Sequence, residues 1–306
     1  MGTFRTAAGV GLNVETDGPE DAPVTVVLAH GWTLDLRTWA PVARALTAPG
    51  RAPVRVLRYD HRAHGRSDLV PRSEMTLEAL ADDLAELLTE RVPAGPIVLA
   101  GHSMGGMAAM ALAERHPGLV RERVAGLVLV STACGGLAQS TLGLPVRMLG
   151  MVRRGEAKLA ASERFDARPT LSRRPGVLRP SVRFLLVGRG ADADATRISA
   201  RSLADCRPAA MIGFRPAFDT HERDDAMRVY EQVPTEVLVG SRDKLTPVAA
   251  SRRIAAASPW ARLTVYGGAG HMLPVERVGA VTGHLAELCA RAAATRAVEV
   301  SSPGSG

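Results

Sequence analysis

The pentapeptide Gly101-His102-Ser103-Met104-Gly105 follows directly on the apolar run Ile97, Val98, Leu99, Ala100 and leads into a stretch rich in Ala and Met. A serine between two glycines at such a junction requires a sharp turn from a buried strand into a helix. The serine then has a strained backbone, and its hydroxyl is exposed at the strand's end. The glycines leave room for the two backbones to approach. A pentapeptide of this kind is common by chance, so its weight depends on what the rest of the chain supplies.

The 306 residues suffice for one α/β domain with an insertion. Apolar runs without polar alternation at residues 24–29, 54–59, 97–100, 124–130, 235–239 and 263–266 read as parallel strands covered on both faces. Residues 3–7 and 10–16, on either side of Gly9, read as an entry hairpin. Residues 76–91 carry Leu77, Leu80, Ala81, Leu84, Leu87 and Leu88 on one helical stripe, and the helix predicted behind Ser103 ends at Pro117. This alternation predicts a mostly parallel central sheet flanked by helices, with right-handed crossovers. From residue 132 the alternation stops, and six prolines separate short amphipathic pieces at 180–187 and 195–203. The predicted organisation is a core of residues 1–131 and 229–294, a mainly helical cap inserted at 132–228, and a disordered tail at 295–306.

Composition excludes several classes. No run reaches the roughly 18 apolar residues of a membrane span, and the first 14 residues hold no continuous apolar segment of a secretory signal. Cys134, Cys206 and Cys289 are odd in number, far apart and without Cys-x-x-Cys spacing. They read as reduced thiols of a cytoplasmic protein, with neither a disulfide framework nor a zinc site. The net charge of +7 is almost wholly arginine, 36 of 38 basic residues, with only Lys158 and Lys244 as lysines. Such usage looks like coding bias, and no nucleic-acid motif accompanies it, so no nucleic-acid partner is expected.

In an open parallel sheet, ligands bind outside the carboxyl ends of the strands. Ser103, Asp243 and His271 each fall just after a predicted strand, in the chain order Ser, Asp, His. Together with Ala29-His30-Gly31-Trp32, the segment Tyr59-Asp60-His61-Arg62-Ala63-His64-Gly65-Arg66-Ser67, Gly240-Ser241-Arg242-Asp243 with Pro247, and Gly268-Ala269-Gly270-His271, the chain resembles the α/β-hydrolase fold family over about residues 3 to 292. The resemblance is to the family's cap-bearing serine esterase and lipase-like branch. Ala63 stands where many relatives have glycine, and Val278 where a proline often follows the Glu-Arg pair.

The resemblance implies a cofactor-independent and metal-independent hydrolase of carboxylic esters, with small or medium acyl chains. Ser103 would be the nucleophile, His271 its base, Asp243 the orienter of His271, and the Trp32 and Met104 backbone N–H groups the oxyanion hole. The same triad would also serve a thioesterase, lactonase, carbon–carbon hydrolase or perhydrolase, and a non-catalytic binding protein on this fold is the alternative of another class. Asp243 could instead cap the helix starting near Pro247. His30 and His102 read chiefly as backbone-bonding groups, although His30 joins Trp32, Met148, Phe184, Phe214 and Met272 as candidate substrate-binding residues. The segment 145–207 holds 14 basic and six acidic residues, a surplus larger than the charge of the whole chain. It would either draw anionic substrates or surfaces toward the cap or form a solvated arginine coat.

Overall fold

The computed structural model describes residues 2–139, 150–151, 154–155, 157–159 and 161–301. Met148, one of the candidate substrate-binding residues, lies outside them.

Eight strands form one sheet in the order β1-β2-β4-β3-β5-β6-β7-β8. β1 (Gly2–Arg5) and β2 (Gly11–Asp17) are the entry hairpin, and β2 runs antiparallel to β4 (Arg55–Tyr59). From β4 onward all pairings are parallel, through β3 (Thr25–Ala29), β5 (Ile97–His102), β6 (Val124–Val130), β7 (Thr235–Gly240) and β8 (Arg262–Tyr266).

Each central strand sends alternate side chains to two separate cores, as a sheet covered on both faces requires. Val27, Leu57, Leu99 and Leu129 pack with α2 (Leu77–Arg91) and α3 (Met104–Arg115). Val26, Leu28, Val98 and Val128 face α1 (Ala40–Leu46) and the last helix. α2 begins where Thr76 Oγ1 accepts the Ala79 N–H at 3.1 Å, a side-chain N-cap, and buries the leucine stripe read from its periodicity. α1 buries Val42, Ala43 and Leu46 below Trp39, whose indole N–H donates to the Ala29 carbonyl at 2.9 Å. After α4 (Pro117–Arg123) and β6, the described residues carry helices and no strand until β7. The chief ones are α5 (Pro175–Leu185), α6 (Ala193–Asp205) and α7 (Pro208–Gly213), with α5 and α6 packed on each other. α8 (Val248–Ala257), α9 (Leu273–Glu276) and α10 (Val278–Ser301) follow β7 and β8.

α10 runs on to Ser301, whereas composition predicts a disordered tail from Thr295. The Ala292–Ala294 run is strongly helix-forming, and Arg296 extends the docking by donating to the Pro23 carbonyl at 3.1 Å. Val278, in place of the relatives' proline, is the first residue of this helix, a position at which proline is well tolerated. Ala63 has φ +63°, a left-handed conformation that explains why glycine is usual there.

Candidate active site

Ser103 sits between β5 and α3 with φ +53° and ψ −117°, the strained turn expected of the pentapeptide. Its N–H donates to the Val130 carbonyl at 2.9 Å, and Thr132 Oγ1 donates to its carbonyl at 2.7 Å, so the end of β6 and the residues just after it fix the turn. The glycines are sterically obligatory. A Cβ on Gly105 would overlap the Ala29 carbonyl, and one on Gly101 would meet the Gly105 backbone at 2.5 Å.

The loop after β3 lies against this turn. A Cβ on Gly31 would come within 3.0 Å of Ser103 Cβ and 2.9 Å of His102 Nδ1, so the backbone leading to Trp32 passes directly beside the serine. Met104 is the first residue of α3, and its N–H is one that a helix leaves without an internal partner. Trp32 is half-buried. Its indole donates to the Met211 carbonyl at 3.1 Å and meets the Phe218 ring edge-on at 5.3 Å, which joins the β3 loop to α7 and its successor turn.

His271 Nδ1 faces both carboxylate oxygens of Asp243, at 3.0 Å and 2.9 Å, and both residues are buried. Asp243 Oδ1 also accepts the Leu245 and Thr246 N–H groups, and Oδ2 accepts Thr246 Oγ1. Asp243 thus shapes its own turn as well as facing His271, while α8 starts only at Val248. Burial pushes the Asp243 carboxyl upward, but His271 and Thr246 outweigh it and hold the group below the usual carboxylate range. Thr246, also 3.3 Å from His271 Nδ1, is absent from the sequence reading; its position three residues after the aspartate, a spacing typical of hydroxyl-supported turns, is the available signal.

The buried histidines His30, His61, His64 and His102 are backbone clamps. His61 N–H donates to His30 Nε2 at 3.0 Å, which leaves the proton of neutral His30 on Nδ1, 2.8 Å from the Gly31 carbonyl. His102 Nε2 lies 2.8 Å from the His271 carbonyl, and the two rings are 4.9 Å apart. Burial lowers His30 to about 4 and both His64 and His102 to about 3, so all three are neutral at physiological pH.

His30 is fully buried with both ring nitrogens engaged by backbone, so it serves the loop and presents no free face to a substrate. Phe184 is 60 % exposed with the Lys244 ammonium 3.4 Å from its ring centroid; its solvent-facing ring departs from the pocket-lining role expected of it. Phe214 is buried against the His64 ring, and Met272 among Leu34, Val182, Val187 and Val275. The three cysteines are buried, and burial raises each thiol to about 12, which makes them poor nucleophiles. Among the described residues, no three His, Cys, Asp or Glu side chains gather as a metal ion would require, and no helix is long and apolar enough to cross a membrane.

The profile of the family described as alpha/beta hydrolase fold matches residues 24–278. The pimeloyl-[acyl-carrier protein] methyl ester esterase of Aromatoleum aromaticum is 31% identical over 255 residues, 80% of this chain and 90% of that protein. Among solved structures, a thermophilic esterase from Thermogutta terrifontis superposes with a TM-score of 0.72 at 25% identity, covering 95% of this chain and 97% of the other. An enol-lactonase from Burkholderia xenovorans does so with a TM-score of 0.70 at 26% identity, covering 92% and 96%.

Proposed function

The chain belongs to the α/β-hydrolase family and is an enzyme of it, and we propose that it is a serine hydrolase cleaving carboxylic esters of small or medium acyl groups through an acyl-enzyme intermediate. The observation that carries this reading is the buried Asp243–His271 pair at 2.9 Å on the same sheet edge as Ser103 in its strained turn.

In this mechanism Ser103 Oγ attacks the ester carbonyl carbon while His271 takes the hydroxyl proton on Nε2. Asp243 holds Nδ1–H and stabilises the imidazolium. The Trp32 and Met104 N–H groups receive the negative charge that develops on the carbonyl oxygen, and one such donor is typically worth about 3 kcal/mol in the transition state. Collapse of the tetrahedral adduct expels the alcohol, which takes the proton from His271. Water, deprotonated by the same histidine, then releases the acid and regenerates Ser103. Residues 132–228 are the cap in this reading, with Trp32 as a wall of the pocket beneath it.

Lactones are cyclic esters opened by the same steps, and the likeness to an enol-lactonase favours including them as a second substrate class. The test is hydrolysis of p-nitrophenyl esters from C2 to C16 by wild type and Ser103→Ala, with fluorophosphonate labelling in parallel. Turnover and labelling that both vanish in the variant are expected, and the chain-length optimum sizes the pocket. Labelling without turnover moves the assignment to lactones, thioesters or carbon–carbon substrates. Neither in folded wild type overturns the proposal in favour of a binding role.

A further inference from the structure

We infer that Glu276 is a positioning residue for His271, a carboxylate that pins the loop carrying the base to the segment inserted between β6 and β7; the inference rests on the serine-hydrolase reading above. Glu276 closes the single turn of α9, five residues after His271, and is half-buried. Its Oε1 accepts the Met272 N–H at 3.0 Å, and both its oxygens accept the Gly270 N–H, at 3.1 and 3.0 Å. Those are the N–H groups of the two residues on either side of His271. Its Oε2 also accepts the Gly188 N–H, just past the end of α5, at 2.7 Å.

The N–H of His271 itself is held from the same side, donating to the Leu186 carbonyl at 2.7 Å. The two segments touch backbone to backbone. A Cβ on Gly188 would overlap the Gly268 carbonyl, and one on Gly270 would lie 2.6 Å from the Gly188 N. The neighbouring Arg277 guanidinium donates to the Glu276 and Gly267 carbonyls, which stiffens the same loop. Hydrogen bonds from N–H groups to an ionised carboxylate are about twice as strong as neutral ones, so three of them on one side chain make a stiff joint. The placement of the base and the seating of the inserted segment are therefore set by one group.

A glutamine has the same size but one accepting oxygen, and its NH2 would face backbone donors. Glu276→Gln is therefore expected to loosen the loop without removing any triad member. A misplacement of about 1 Å can cost about 10²-fold in rate. The expected result is a fluorophosphonate labelling rate at Ser103 lowered tenfold or more. In parallel, kcat on p-nitrophenyl butyrate per labelled site falls similarly, while KM stays within about threefold. Wild-type labelling rate and per-site kcat with only a lowered Tm would overturn the inference and leave Glu276 a fold contact. If Glu276→Gln does not fold, Glu276→Asp, which keeps the charge on a shorter arm, is read in the same way. If wild type is not labelled at all, the serine-hydrolase reading has failed, and the joint is judged by hydrogen exchange of the Gly270 and Met272 amides. Faster exchange in the variant upholds the joint, and unchanged exchange overturns it.

Discussion

Single side chains here are held in one protonation state by burial and by backbone partners. Asp243 accepts from three groups and faces His271. Asp243→Asn keeps the shape but places an NH2 among donors and removes the acceptor that fixes the His271 tautomer. On the proposed mechanism kcat falls about 10⁴-fold with the fold intact, measured as ester turnover beside circular dichroism; a loss under tenfold would refute the role. The buried histidines make a second prediction. His30 and His221 are lowered to about 4, His64 and His102 to about 3, and His61 well below its ordinary value, in each case first by burial. A depressed folded-state value means that the unfolded chain binds protons first. Stability is therefore complete above the unfolded value of about 6.5 and drains as pH falls toward 4 to 3. Urea midpoints should be flat above about pH 7.5 and drop progressively below 6.5 while these histidines stay neutral in the fold and charge in the unfolded chain. Asp243 adds a loss of the same sign at lower pH, below the ordinary carboxylate range. A midpoint unchanged between pH 7.5 and 5 would contradict the clamp role.

The elbow is an agreement among β3, β5 and α3, and Gly105 is where they meet. Gly105→Ala forces a methyl group onto the Ala29 carbonyl. It should cost about 1–3 kcal/mol in urea unfolding and slow fluorophosphonate labelling, because relief requires α3 to move away from β3 and to carry Ser103 with it. Wild-type stability and labelling would show that the junction is slack. The same dependence on neighbours decides what could be read from the sequence. β6 and α2 were legible because their apolar patterns, a continuous run and a 3.6-residue stripe, report burial directly. The strand-end positions of Ser103, Asp243 and His271 were legible because sheet topology dictates where chemistry sits. α1 was not, since Pro41 and three buried residues give too short a signal. Glu276 and Thr246 were not, because Glu276 acts by accepting the Gly188 N–H and Thr246 by donating its hydroxyl to Asp243 beside His271, contacts that only the folded chain assembles. Phe184 misled because an aromatic on an amphipathic helix reads the same whether its ring meets a pocket or a lysine.

At the scale of the whole molecule, charge is distributed unevenly about the proposed site. Among the described residues, the segment between β6 and β7 meets the proposed site through Thr132 on Ser103, Leu186 on His271 and Met211 on Trp32. Within it, residues 167–191 hold six arginines and no acid, and Arg173, Arg174, Arg179, Arg183 and Arg189 are exposed. Arg197 and Arg201, by contrast, pair with Asp194 and Asp205. An uncompensated patch beside a catalytic edge raises the encounter rate of an anionic substrate only while its field reaches beyond the surface. That reach is about 30 Å at 0.01 M salt and about 3 Å at 1 M. If the patch steers, kcat/KM for an ester bearing a carboxylate should fall about tenfold between those salt concentrations, while kcat/KM for its neutral analogue stays level. The double variant Arg179→Glu, Arg183→Glu should flatten the anionic curve and leave the neutral one in place, since neither residue belongs to the triad. Equal salt dependence for both esters would assign the arginines to a solvated coat, and the selectivity of the enzyme would then have to come from the shape of the pocket alone.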